Sequence, residues 1–115
     1  MGGGLVISRG FFDGAGRFAE GLLSVKVDGR WGFVNKTEEF VITPVFDGAQ
    51  DFSEGLAAVK VNNKWGYIDR TGRFVIAPQF DNVSPFIGAL ARISAERSWG
   101  YIDKHGKLIW KSNIT

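Results

Sequence analysis

Apolar and polar residues alternate along most of this chain in short runs, and the runs recur. In "LAAVKV", Leu56 to Val61, the residues Ala57, Val59 and Val61 share one parity and Lys60 takes the other. Strict alternation over so few residues predicts a half-buried β-strand. The matching run one repeat earlier has Leu23, Val25 and Val27 as its inward set. "KWGYID", Lys64 to Asp69, predicts a second strand, with Trp65, Tyr67 and Asp69 on one side and Gly66 and Ile68 on the other. "RFVIAPQF", Arg73 to Phe80, predicts a third, in which Pro78 marks an edge or the end of pairing. No stretch sustains a 3.6-residue period. Asp51 to Gly55 is compatible with one helical turn capped by Ser53.

The punctuation between these runs has turn chemistry. Asp28-Gly29 and Asn62-Asn63 tolerate positive φ, the signature of a type I′ hairpin. "DRTG" and "DKHG" place Asp at the opening of a turn and Gly72 and Gly106 where a left-handed residue is needed. Two turns break the rule. Glu96 and Arg97 replace the first turn of the last copy, and Glu38 stands where the second turn of the first copy wants glycine. Both are expected to be looser or differently shaped.

The pattern has a period of 34 residues. With starts at Phe18, Phe52 and Phe86, the chain divides into residues 18–51, 52–85 and a shortened 86–115, without a gap. The first two copies match at 16 of 34 positions, far beyond chance. Residues 5–17 resemble the back half of a copy, since "LVISRGFFDGAG" aligns with "EFVITPVFDGAQ". The last copy lacks the Phe-Asp tail, which would fall at Ile114 and Thr115, whereas Phe12 and Asp13 supply such a tail near the start. Residues 1–115 therefore read as a single all-β domain of three-stranded antiparallel repeats. The expected architecture is an open, twisted, stacked array. The alternative is a closed pseudo-threefold barrel that uses the complementary ends.

Trp-Gly occurs in each copy, at Trp31, Trp65 and Trp99. The preferred reading is a packing joint: the aromatic pair forms a flat surface, and the glycine leaves a gap on the opposite side for a close neighbour. Phe40, Phe74 and Leu108, from the third strand, are candidates to sit over that glycine. The functional reading is an aromatic platform that stacks on sugars or grips a peptide. Trp110 differs, because it takes the place of Ile42 and Ile76; it serves either as a cap or as part of an interface.

The string "GLxxVKVxxKWGYIDxxGxFVIxPxFD" resembles the WG repeat family of bacterial tandem β-repeat proteins, over residues 5 to about 111. The second copy fits best; "FIGAL" and "IWKSN" depart from it in the third. The resemblance implies a non-enzymatic all-β module and no settled ligand, so no catalytic residue is carried over.

Composition narrows the function classes. Glycine is 16 of 115 residues, which suits short strands and tight turns. Net charge is +2, with basic and acidic residues interleaved, so the clustered footprint of a nucleic-acid binder is missing. Without cysteine there is no disulfide and no zinc finger. No apolar run is long enough to span a membrane, and "MGGGLVIS" does not read as a signal peptide.

Catalytic chemistry is not legible. The lone His105 sits inside a turn, beside an Asp103 that has turn chemistry to perform. No phosphate loop, cofactor-binding motif or metal-ligand spacing appears. Asp13, Asp47 and Asp81 recur after Phe, and Glu20 and Glu54 before Gly, but each is isolated, so turn-capping is favoured over calcium binding. Lys26 and Lys60 read as a solvated face or edge protection.

The expected function is a binding module that presents a rigid surface for protein–protein interaction, with a carbohydrate or cell-wall ligand as the alternative. Self-association through edge strands is a further expectation. Candidate binding residues are those that break the pattern in the third copy: Arg92, Glu96, Arg97 and Trp110.

Overall fold

The computed structural model describes residues 12–112. The partial repeat from Leu5 and the positions Ile114 and Thr115 lie wholly or mostly outside that range, and with them the proposed complementarity of the two ends. Twelve strands follow one another: β1 (Gly14–Ala19), β2 (Leu22–Val27), β3 (Arg30–Val34), β4 (Phe40–Phe46), β5 (Gly48–Ala49), β6 (Ala57–Val61), β7 (Lys64–Ile68), β8 (Phe74–Phe80), β9 (Asn82–Val83), β10 (Ala91–Ala95), β11 (Ser98–Ile102) and β12 (Leu108–Lys111). There is no helix among the described residues, and so none long and apolar enough to cross a membrane.

The strands form three four-stranded antiparallel sheets, β1 to β4, β5 to β8 and β9 to β12, each in sequence order. None closes into a barrel. The molecule measures 58 × 25 × 20 Å, as an open array should. Three strands of each sheet are those read from the sequence. The fourth, β1, β5 or β9, follows the Phe-Asp pair and is only two residues long in the second and third sheets. Its shortness hides it from any periodicity argument. The sheets therefore gather the residues from one Phe-Asp pair to the next, a different phase from the 18–51 and 52–85 frame.

Asp51 to Gly55 is not a helical turn. Glu54 and Gly55 both have positive φ, 54° and 84°, and Ser53 and Leu56 exchange backbone hydrogen bonds across them. This is a two-residue turn of the I′ kind, and Glu20-Gly21 and Gly88-Ala89 repeat it. Asp28-Gly29 and Asn62-Asn63 also have positive φ at both residues, as expected. In the third sheet Glu96 alone crosses over, at 56°, and Arg97 does not, so that turn does differ in shape. Glu38 adopts the left-handed conformation of the missing glycine, at 64°.

Each sheet packs its Trp/Tyr side on the Val/Ile side of the next. Phe33, Ile42, Phe46 and Phe52 bury themselves against Ala57, Val59 and Ile68, with Trp31 alongside. One step on, Tyr67, Ile76, Phe80 and Phe86 meet Ala91, Ile93 and Ile102, with Trp65 alongside. The middle sheet is thus apolar on both faces, and Ala58 on the lysine side is as buried as Val59 on the other. Lys60 is not on a solvated face: it is half-buried and lies directly across from Trp65, as Lys26 does from Trp31.

The glycine of Trp-Gly is required by backbone rather than by an aromatic ring. A Cβ on Gly66 would come within 2.5 Å of the Ile76 carbonyl oxygen and 2.7 Å of the Pro78 nitrogen, and Gly32 meets Ile42 and Pro44 in the same way. The atoms nearest that Cβ are backbone, and neither Phe40 nor Phe74 is among them. In the first two sheets Pro44 or Pro78, which cannot donate to the ladder, adds to the crowding. The register changes from Tyr67↔Ile76 to Trp65↔Phe80, so β8 carries two extra residues opposite Gly66 and bulges over it. In the third sheet Gly100 lies under the Trp110 carbonyl, and Leu108 does approach it.

Candidate functional site

Hydrogen bonds join each sheet to its follower; the glutamate at Glu20 and Glu54 recurs in both joints, and Ser53 and Tyr67 add two more in the second. Gly55 N–H donates to Glu20 Oε1 at 3.0 Å. Gly88 and Ala89 N–H donate to Glu54 at 2.6 and 2.8 Å. Ser53 Oγ donates to the Phe86 carbonyl at 2.6 Å, and Tyr67 Oη to the Ser84 carbonyl at 2.7 Å. The Glu54 carboxyl is held below the usual carboxylate range, first by the Ala89 N–H, then by Gly88 and by Lys104, whose Nζ is 3.4 Å away. Burial pushes the Tyr67 phenol up. Gly72 rests on Ile42 and Gly106 on Ile76, so the second turn of each sheet seats on an isoleucine of the one before.

Of the acids considered for calcium, Glu20 and Glu54 are used in these joints and Asp47 and Asp81 in the hairpins. Asp47 Oδ2 accepts from Asn62 N–H at 3.0 Å, and Asp81 Oδ2 from Glu96 N–H at 2.7 Å. These caps are not local in sequence: the Asp reaches the tip of the hairpin beside it. The Asp81 carboxyl is held low, first by Lys64 and then by Glu96 N–H. Asp69 and Asp103 do cap their own turns and are also held low, Asp69 first by the Thr71 hydroxyl and Asp103 first by the Lys107 N–H. Among the described residues no group of three or more His, Asp or Glu gathers in a way that could hold a metal ion.

The third sheet changes the positions that join a sheet to its follower. Ile87 stands in the place of Ser53, Gly88 of Glu54, Arg92 of Ala58, Ser94 of Lys60 and Trp110 of Ile76. Among the described residues nothing packs over its Trp/Tyr side. The Arg92 guanidinium sits 4.3 Å from the Trp99 ring centroid, a cation–π contact. Trp99 and Trp110 have centroids 5.0 Å apart, and Tyr101 lies 5.9 Å from Trp99 and 6.4 Å from Trp110. Trp110 is 50% exposed. Beside Trp99, the side chains of Asn82, Ser84, Arg92 and Ser94 line a cleft of about 400 Å³.

Two of the four sequence candidates, Arg92 and Trp110, are therefore brought together, through Trp99. The other two are not. Glu96 and Arg97 form the tip of the β10–β11 hairpin and border a separate cleft of about 770 Å³, walled by Phe80, Ile93, Trp99 and Leu108. Sequence reasoning missed Trp99 and Tyr101 as site residues because it gave all three Trp-Gly pairs one structural role. The signal was present: Arg92 replaces a small residue directly opposite Tyr101, and Ser94 replaces a lysine opposite Trp99.

A family model described as WG containing repeat matches residues 12–31, 31–65 and 65–95. The matched range ends before the strands that carry Trp99 and Trp110. No protein with a curated description matches the chain.

Proposed function

We propose, for a chain that belongs to the WG containing repeat family, a non-enzymatic binding module whose third sheet presents a rigid surface to a protein partner. One observation carries this reading. Several positions that join a sheet to its follower are replaced in the third sheet, and the replacements include an arginine over the Trp99 ring and a tryptophan tilted against it. Clustered tryptophan and arginine are the residue types most enriched among energetic anchors of protein interfaces. The array behind them supplies stiffness, because each sheet is fixed to its neighbour by packing and hydrogen bonds.

The test is capture of a partner from native extract, with the wild-type chain and with a double variant, Arg92→Ala and Trp110→Ile. The double variant restores small or aliphatic side chains of the kind the inner sheets carry. A partner held by the wild type and lost by the double variant is the expected result. Equal retention by both, or retention of nothing, ends the proposal.

The exposed ring of Trp110 and the polar lining of the cleft beside Trp99 favour a second reading, a carbohydrate ligand. Tryptophan fluorescence left unchanged across a glycan panel would exclude it.

A further inference from the structure

A sheet edge exposes unpaired N–H and C=O groups and invites another strand, so edges are normally blunted. The edges of this array are blunted by identifiable means, and β12 is the least blunted among the described residues. β5 and β9 have two residues each. β1 is interrupted by a register shift between Ala15 and Phe18. β4 and β8 carry Pro44 and Pro78 and bulge by two residues at that point. β12 has Ser112 in the place of the proline. One register shift remains, between Tyr101 and Ile102, and beyond it the ladder runs on from Tyr101↔Trp110 through Gly100↔Lys111 to Ser112 N–H, which donates to the Trp99 carbonyl at 2.8 Å. All four residues of β12 are exposed.

The side chains along this edge state what would fit. Trp110 presents a half-exposed ring on one face. Lys111 projects from the other, and Lys107 immediately precedes the strand. Residues 104–112 contain three lysines and no acid. Two copies joined through β12 would crowd lysines on one ribbon, whereas an acidic strand would neutralise them.

We propose that β12 accepts an extended segment of a partner protein as a fifth strand of the third sheet, with apolar residues against Trp110 and carboxylates opposite Lys111. The inference rests on the protein-partner reading above and specifies its mode, strand addition. Main-chain hydrogen bonds supply affinity, and the alternation of apolar and acidic residues supplies selectivity.

The probe is a synthetic peptide of alternating valine and glutamate, flanked by proline. Binding is followed by tryptophan fluorescence and by amide shifts in the NMR spectrum. Saturable binding with shifts concentrated in β11 and β12 is expected. A valine–lysine peptide should bind roughly fivefold more weakly, the scale of a few partly exposed charge pairs. A peptide N-methylated at alternate amides should not bind. Ser112→Pro restores the residue of the inner sheets and should abolish binding while the circular dichroism is unchanged. The N-methylated peptide keeps the test decisive if Ser112→Pro misfolds, because it alters only the ligand. Failure of the glutamate peptide to bind, or equal binding by the N-methylated peptide, overturns the proposal. So does a concentration-dependent dimer abolished by Ser112→Pro, which would give the edge to a second copy. If the native partner is lost with Arg92→Ala and Trp110→Ile but kept with Ser112→Pro, the interaction surface stands and strand addition alone falls.

Discussion

Tyr67 and Tyr101 hold the same place in consecutive sheets, each two residues after the tryptophan and opposite the same strand positions. Tyr67 is fully buried, makes an edge-to-face contact with Phe86 at 4.8 Å and donates a hydrogen bond from its hydroxyl to the Ser84 carbonyl. Tyr101 is only half-buried and lies beside a half-exposed tryptophan. The local sequence around the two is almost the same, "KWGYID" and "SWGYID". What differs is the sheet in front. An aromatic side chain on a sheet face becomes core only when another layer covers it, so an identical motif is structural in one sheet and available for contact in the next.

The sharpest way to break this comparison is to truncate one repeat position in two places. Phe86 is fully buried against Tyr67, whereas Phe18 is 45% exposed. Phe86→Ala should cost about 3–5 kcal/mol in urea unfolding, and Phe18→Ala about 1 kcal/mol or less. Similar losses from both would mean that the layers do not set the energetics. Next in size is Gly66→Ala. Its Cβ would meet the backbone of Ile76 to Pro78, which cannot move aside as a side chain would. A cost of about 2–3 kcal/mol is expected in the same assay. Smaller again is Tyr67→Phe, which leaves the Ser84 carbonyl without its donor and should cost about 1 kcal/mol, while Tyr101→Phe should stay within about 0.5 kcal/mol.

The smallest effect concerns pH. Glu54, Asp69, Asp81 and Asp103 all have carboxyls held below the usual range in the folded chain. A group whose folded pKa is depressed stabilises above its unfolded value and loses that contribution as pH falls through the folded one. Thermal unfolding should therefore be flat from neutral pH down to about 5 and fall below about pH 4, modestly, because exposed carboxylates are screened. Glu54 and Asp81 anchor the second and third sheets. Glu54→Gln should therefore flatten the acid limb more than Glu39→Gln, which touches only its own turn.

Much of the fold was legible because turn and strand chemistry are local. Asn62-Asn63 and Asp69 to Gly72 announce their turns by residue type, and Val59 and Tyr67 announce their strands by alternation. Two elements were not. Gly48–Ala49 is too short to show a period, and "SEGL" imitates a capped helical start although Glu54 takes positive φ. The latter is a tertiary effect, because the Glu54 carboxylate is held in place by the N–H groups of Gly88 and Ala89 in the next unit. The candidate site was half legible. Arg92 and Trp110 stand out as departures from the repeat, but Trp99 obeys it, and obeying it disguised the residue that joins the other two.

The sequence by itself determined the class, the strands, the hairpin turns and the family, because each follows from short-range alternation, backbone preference or a period of 34 residues. Only the tertiary structure decided which faces are covered, which carboxylates fasten one sheet to the next, and why the glycine after each tryptophan is obligatory. These depend on residues brought close across the chain. A backbone carbonyl of the neighbouring strand lies over each of these glycines, and no count along the sequence measures that distance.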